Sequence, residues 1–240
     1  MLASTRPEGE ENAVVRHHPA NPDGRDFFVG DLHGEYDLLM EALAGVDFAP
    51  ERDRLFSVGD LIDRGPRSRD CLALALAPWF FGVRGNHEAM AQAALAEGGD
   101  AMALWVINGG GWACREPRQE LRGLLSSALR RLPYAREIEA AGRLIGLVHA
   151  EPPDDWGEIG DCDRHTLLWG RRRIRQGDAT PVRGIDAVVV GHTILEAPTT
   201  LGNVHYLDTG AFASGRLTLV EATELLAGND SPAGRGGRGE

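Results

Sequence analysis

Cysteine is scarce in this chain. Three residues, Cys71, Cys114 and Cys162, stand far apart among 240, too few for a disulfide framework and too scattered for a thiolate metal cluster. They read as free thiols of a reducing compartment. Long apolar runs are also missing: nothing approaches the roughly 20 residues of a membrane span, and the opening MLASTRPEGEENAVVRHHP lacks the apolar core of a signal peptide. A cytoplasmic location is therefore expected. Positive charge is in deficit, with 25 basic against 36 acidic residues and a net charge of -11. That balance argues against a general affinity for nucleic acid or anionic membrane, both of which depend on basic surface to displace counterions. Any phosphate bound here must be held by a local cluster. A covalent nucleophile is absent as well, because Cys71 sits in the helix-like SRDCLALAL with no base or loop signature around it.

What is present suffices for a large core, since 42% of residues are hydrophobic. Residues 1–24 are polar and proline-punctuated, residues 227–240 are glycine-rich, and both are expected to be flexible segments flanking one domain over 25–226. Within it, short β-type runs end in polar loops: DFFVGDLHG, RLFSVGDLIDRGP, WFFGVRGNHE, RLIGLVHAE and AVVVGHT. Helix-like stretches follow several of them, over Glu35 to Leu43, Ser68 to Leu76 (with Ser68 as N-cap) and Ala89 to Ala96. Continuous apolar strands alternating with helices predict an α/β layered fold whose functional groups share the rim beyond the strands' C-terminal ends. The ending NVHYLDTGAFASGRLTLVE predicts two more, near-antiparallel strands.

Those loops carry Asp31, His33, Asp60, Asp63, Asn86, His87, His149 and His192. Any one alone is an ordinary turn former, cap or core histidine. Eight at five consecutive strand ends would be costly to bury together unless a cation offsets the desolvation. Oxygen and imidazole donors without thiolate favour manganese, iron or zinc, and the number of groups suits two divalent ions. In GDLHG, Asp31 and His33 can return to one ion while Leu32 points into the core. Asp60 has two carboxylate oxygens and can bridge both ions, with Asn86, His149 and His192 completing the second.

GDLHG, GDLIDRGP, RGNHE, HAE and GHT together resemble, in order, the signature series of the PPP-type, calcineurin-like metallophosphoesterases. The likeness is nearest to the phage lambda and bacterial serine/threonine protein phosphatases, and with NGGGW, LLWGRRRI and YLDTGA it spans roughly Asp26 to Glu221. The resemblance implies an α/β/β/α sandwich, with residues 25–226 as its catalytic domain. It implies Asp31, His33 and Asp60 on one metal and Asp60, Asn86, His149 and His192 on the other, most readily two manganese ions. It further implies His87 as the general acid, oriented by Asp63, and Arg64, Arg84 and Arg171 as phosphate-holding groups. The implied reaction is direct in-line hydrolysis of a phosphoprotein ester by a metal-bridging hydroxide, on serine or threonine and by extension tyrosine.

A symmetrical bis(5'-nucleosyl)-tetraphosphatase is the competing activity, since it resembles the chain in GDLHGEYDLL and RGP; IDRG and GNHE favour the phosphatase. A scaffold that only binds phosphoproteins is a remote third reading. Glu88 reads equally as a partner of a metal ligand or as a helix N-terminal charge. NGGGW is assigned to architecture or the substrate rim, Arg172 and Arg173 to surface ion pairs, and His165 and His205 to no metal role. The acidic loop Glu151 to Asp163 is expected to border the cleft and to disfavour acidic phosphopeptides.

Overall fold

The computed structural model describes residues 14–229; the expected flexibility of 1–13 and 230–240 lies outside them. The strands among the described residues are β1 (Val15–His18), β2 (Asp26–Val29), β3 (Arg54–Ser57), β4 (Phe80–Gly82), β5 (Ala135–Ala140), β6 (Arg143–Val148), β7 (Ala187–Val190), β8 (Thr199–Leu201), β9 (Val204–Tyr206) and β10 (Leu219–Glu221). They form a six-stranded sheet in the order β1-β5-β6-β7-β9-β8 and a four-stranded sheet in the order β10-β2-β3-β4. The helices are α1 (Tyr36–Gly45), α2 (Ser68–Leu74), α3 (Asn86–Glu97), α4 (Gly99–Ile107), α5 (Arg118–Leu129), α6 (Arg164–Trp169), α7 (Arg172–Gln176), α8 (Ala211–Ser214) and α9 (Ala222–Asn229). None of them is long and apolar enough to cross a membrane.

The strands are apolar on both sides because both faces are covered. Side chains alternate across a strand, so Phe27 and Val29 join Leu39, Leu72 and Leu121 in a helix-covered cluster. Phe28 points the other way, to Phe56, Leu147 and Val189 between the two sheets. Val188 and Val190 of β7 face a third cluster, with Trp156 and Leu167 on the outer side of the larger sheet. The result is the expected α/β/β/α sandwich. Phe28 and Phe56 are fully buried and stacked with centroids 5.4 Å apart, and truncating either would cost about 3–5 kcal/mol. Strands β2, β3 and β4 run parallel, as do β6, β7 and β9, so the loops leaving their C-terminal ends emerge on one rim.

Four local expectations differ from the structure. Val15–His18, within the segment read as flexible, is a strand paired in parallel with β5; its four residues form an edge too short to show a strand pattern. The two final strands do not pair with each other: β9 lies beside β7 in one sheet and β10 antiparallel to β2 in the other. Ser68 is the first helical residue of α2, not its cap, and its Oγ accepts from the Asp63 amide at 2.9 Å. Helix α3 begins at Asn86 instead of Ala89, because Glu88 reaches back to the Gly85 N–H.

Candidate metal centre

Seven described non-glycine residues have positive φ, and five of them are His33 (45°), Asp60 (48°), Asp63 (76°), Arg64 (72°) and His192 (66°). Such conformations cost on the order of 1–3 kcal/mol each and persist where the surroundings impose them. Here the strand-end loops fold back to aim polar side chains at one point. Glycine is required where those loops touch. A Cβ on Gly85 would lie 2.1 Å from Asp60 Oδ1, and one on Gly191 would lie 2.0 Å from Asp31 Oδ1. Gly85 itself has an ordinary φ of -91°, so its role is close approach.

Asp60 stands at the centre of the cluster. Its Oδ2 is 3.6 Å from His33 Nε2, 3.9 Å from His87 Nε2 and 3.5 Å from His149 Nε2. Ligand atoms of His33, Asp60 and His87 converge within 4.8 Å, as do those of Asp60, His149 and His192. His33 Nδ1 donates to the Ile62 carbonyl at 2.9 Å and His149 Nδ1 to the Val58 carbonyl at 2.8 Å. Both rings therefore turn an Nε2 lone pair to the cluster, the tautomer a metal site needs. Asn86 Oδ1 lies 2.8 Å from His149 Nε2, and His192 Nε2 is buried with no hydrogen-bond partner among the described residues. Facing lone pairs and an orphaned imidazole nitrogen fit a divalent cation. Asp31 lies beside this set, 4.0 Å from His33 Nε2 and accepting from the His192 amide at 3.2 Å.

The electrostatics separate His87 from the other imidazoles. Burial drives His33 and His192 down to about 3, and it lowers His149 too. Burial also opposes charge on His87, but Asp60 and the Asp63 hydrogen bond outweigh it and raise its pKa. Neutral imidazoles suit ligation, whereas a ring whose pKa is raised suits proton donation. Asp60 would be raised by burial alone, yet His149, His87 and His33 hold it below the usual carboxylate range.

Asp63 is fully buried in a cage of donors. His87 Nδ1 donates to its Oδ2 at 2.6 Å, Trp105 Nε1 to the same oxygen at 2.8 Å, and Trp112 Nε1 to Oδ1 at 2.7 Å. NGGGW is thus architectural, since its Trp112 holds Asp63 and the Gly109 carbonyl accepts from the Arg64 amide at 3.3 Å. Glu88 fills both roles considered for it. Its carboxylate accepts from the amides of Gly85 (2.9 Å), Leu61 (2.8 Å) and Asp60 (3.1 Å), capping α3 and tying two ligand loops together.

The three arginines are placed differently. Arg64 lies across the front of the cluster, donating to His33 Nε2 at 2.9 Å and His87 Nε2 at 3.2 Å, and it packs on Phe212. Arg171 donates to the His192 carbonyl at 3.4 Å, and Asp60, Asp208 and Asp31 all act on its charge. Arg84 turns aside to Gln92, Tyr134 and the Leu129 carbonyl. Among the described residues, no hydrogen bond joins it to the ligand set.

Residues 27–195 match a family described as calcineurin-like phosphoesterase. The chain belongs to that family. It is 41% identical over 218 residues to serine/threonine-protein phosphatase 2 of Salmonella typhimurium, a match covering 87% of this chain and 98% of that one. It is 30% identical over 165 residues to a symmetrical bis(5'-nucleosyl)-tetraphosphatase of Paracidovorax citrulli, covering 65% of this chain and 53% of the relative. Among solved structures, one provisionally described as a diadenosine tetraphosphatase superposes with a TM-score of 0.62 at 25% identity, over 88% of this chain and 94% of that one.

The sequence reading of this calcineurin-like phosphoesterase missed Asp208, from YLDTGA. It is buried and hydrogen-bonded to Asp31, and burial and Asp60 push it up to about 6. The position after an apolar run was the available signal. Trp105 was missed because α4 lacks a clear apolar face, and the residue is the one buried side chain of that helix. The acidic loop differs from expectation: Glu151 and Asp154 pair with Arg172, Asp154 also with Arg173, and Asp155 with Arg183. Part of its charge, that of Glu151, Asp154 and Asp155, is thus met by neighbouring arginines. His205 engages Thr200, and His165 stacks on Trp169, whose ring in turn packs edge-on against His192.

Proposed function

We propose that this phosphoesterase is a cytoplasmic, metal-dependent protein phosphatase acting on phosphoserine and phosphothreonine, with manganese as its resident ion and iron or zinc as substitutes. The observation that carries the substrate class is coverage: the match takes in 98% of the serine/threonine phosphatase and 53% of the tetraphosphatase. Asp31, His33 and Asp60 would hold one ion, and Asp60, Asn86, His149 and His192 the other. Two divalent ions bound there supply positive charge at the phosphoryl oxygens and activate water for attack on phosphorus.

The remaining work falls to side chains. Arg64 and Arg171 present planar guanidinium groups that grip phosphate oxygens and orient the ester in line. Substrate oxygens draw Arg64 away from His87 Nε2, freeing that nitrogen to carry a proton. His87 then protonates the departing serine or threonine alkoxide, a contribution of roughly 10²–10⁴-fold. Asp63 keeps the ring's Nδ1–H directed away from the substrate and favours the imidazolium. Arg84 would reach the phosphate only by leaving Tyr134.

A second reading, hydrolysis of symmetrical dinucleoside tetraphosphates, is favoured by the structural match to a diadenosine tetraphosphatase. Turnover of an aryl phosphate, phosphoserine peptides and a dinucleoside tetraphosphate is to be compared with manganese and with chelator. Preference for the peptides with loss under chelator supports the phosphatase. Preference for the dinucleotide, or activity that survives chelation, overturns it.

A further inference from the structure

Two adjoining cavities of about 370 and 230 Å³ share Arg84, Gln92, Leu129 and Arg130 in their walls. Arg122 adds to the first, and Arg16, Arg164 and Tyr134 to the second. Among the described residues, no carboxylate lines either cavity. The chain contains no lysine, so all 25 basic residues are arginines, and five of them gather here although the whole chain carries -11. Arg84, Arg122, Arg130 and Arg164 form no ion pair among the described residues. The guanidinium groups of Arg84 and Arg164 lie 4.9 and 4.7 Å from the centre of the same Tyr134 ring. Among the described residues, Arg84 Nε and Arg164 Nη1 are buried without hydrogen-bond partners. Like charges held together and buried donors left unmatched are destabilising until an anion joins them.

The topology sets the position of this basic groove. Arg84 is two residues before Asn86, at the end of β4. Ala135 pairs with Val148 in the antiparallel β5–β6 ladder, which places Tyr134 beside His149. Groove and metal centre thus share the exits of β4 and β6. We propose that the groove binds the acidic flank of the phosphoprotein substrate, taking carboxylate or additional phosphoryl groups a few residues from the scissile phosphoester. This deepens the phosphatase reading and rests on it. Guanidinium groups suit such anions because their planar forks match carboxylate and phosphate oxygens.

The test uses the manganese-loaded full chain with three phosphoserine peptides of equal length, carrying three glutamates before the phosphoserine, three after it, or glutamines throughout. Wild type should favour one acidic peptide over the neutral one, more strongly at low salt. Arg122→Gln and Arg130→Gln, exposed positions, should each raise KM for that peptide roughly threefold, leaving kcat and aryl phosphate turnover unchanged. No acidic preference in wild type, or equal losses on all peptides, would overturn the groove while the phosphatase reading stands. Turnover of the dinucleotide alone would remove both.

Discussion

Replacing Asp63 with asparagine separates the proton-donor chemistry from the metals. Asp63 accepts three hydrogen bonds, from His87 Nδ1 (2.6 Å), Trp105 Nε1 (2.8 Å) and Trp112 Nε1 (2.7 Å), and it is fully buried. An amide offers one accepting atom and one donating group in the same space. If Oδ1 stays on Trp112, the new NH₂ faces both the Trp105 N–H and His87 Nδ1. The indole contact becomes donor against donor, and His87 is driven to the tautomer with its proton on Nε2 and without a carboxylate to hold charge. Losing bonds to a charged acceptor costs about 1.5–3 kcal/mol of stability. For catalysis the sign follows from the raised His87 pKa. The protonated acid is available below that value and lost as pH rises through it, so wild type has an alkaline limb above the ordinary imidazole range. Asp63→Asn moves that limb to lower pH. Turnover of a phosphoserine peptide, whose alkoxide needs a proton, should fall by about 10²–10⁴-fold. Nitrophenyl phosphate, with its good leaving group, should lose far less. Metal content, measured by elemental analysis, should hold. Equal losses on both leaving groups, or loss of metal, would refute the reasoning.

Gly85→Ala places a methyl 2.1 Å from Asp60 Oδ1, and displacing that carboxylate should weaken metal affinity by about 10–100-fold, read by titrating the apoprotein with manganese. Glu88→Gln leaves one acceptor where four amides converge; about 1.5–3 kcal/mol of stability should go, read by urea unfolding. Asp53 accepts from Arg25 and Ala49 amides and pairs with the Arg25 guanidinium at 2.7 Å. Burial would raise its pKa, but the Arg25 hydrogen bond and its neighbours lower it. Its stabilisation is therefore complete above the unfolded carboxylate's pKa and lost as pH falls through the lower folded value. Asp53→Asn should unfold more readily at neutral pH, and its deficit should shrink below about pH 4.

The convergence of the candidate ligands was legible because each group follows an apolar run that has to be a strand. That pattern names the rim without any knowledge of sheet order. Trp105 and Asp208 were not legible for complementary reasons. Trp105 belongs to a helix with no clear apolar periodicity, and its value lies in reaching Asp63 across 42 residues of sequence. Asp208 matters through contact with Asp31, 177 residues earlier, and no spacing rule links them. Arg84 was placed by its neighbours in the chain, but its side chain follows Tyr134 and Gln92, contacts that arise from helix packing. The sheet assignment of β9 and β10 failed similarly, because hydrogen-bond partners are a property of the assembled sheets.

The strained loops and the buried acids answer one another. His33, Asp60, Asp63, Arg64 and His192 adopt conformations that L-residues resist, and the last four are held by contacts from other segments of the chain. The Asp60 amide is held by Glu88. Asp63 is held by Ser68 and two indoles, the Arg64 amide by the Gly109 carbonyl, and the His192 amide by Asp31. All six of these holding contacts come from outside the motif they support, so the candidate ligands are aimed by packing between distant segments of the fold. A loop strained only by its own sequence would relax once cations were removed. One clamped from several directions is held with its imidazoles and carboxylates converging, as His149, Asp60 and His192 do within 4.8 Å. Preorganisation of this kind would let the charge of bound ions act on a phosphoryl group instead of on rebuilding the site.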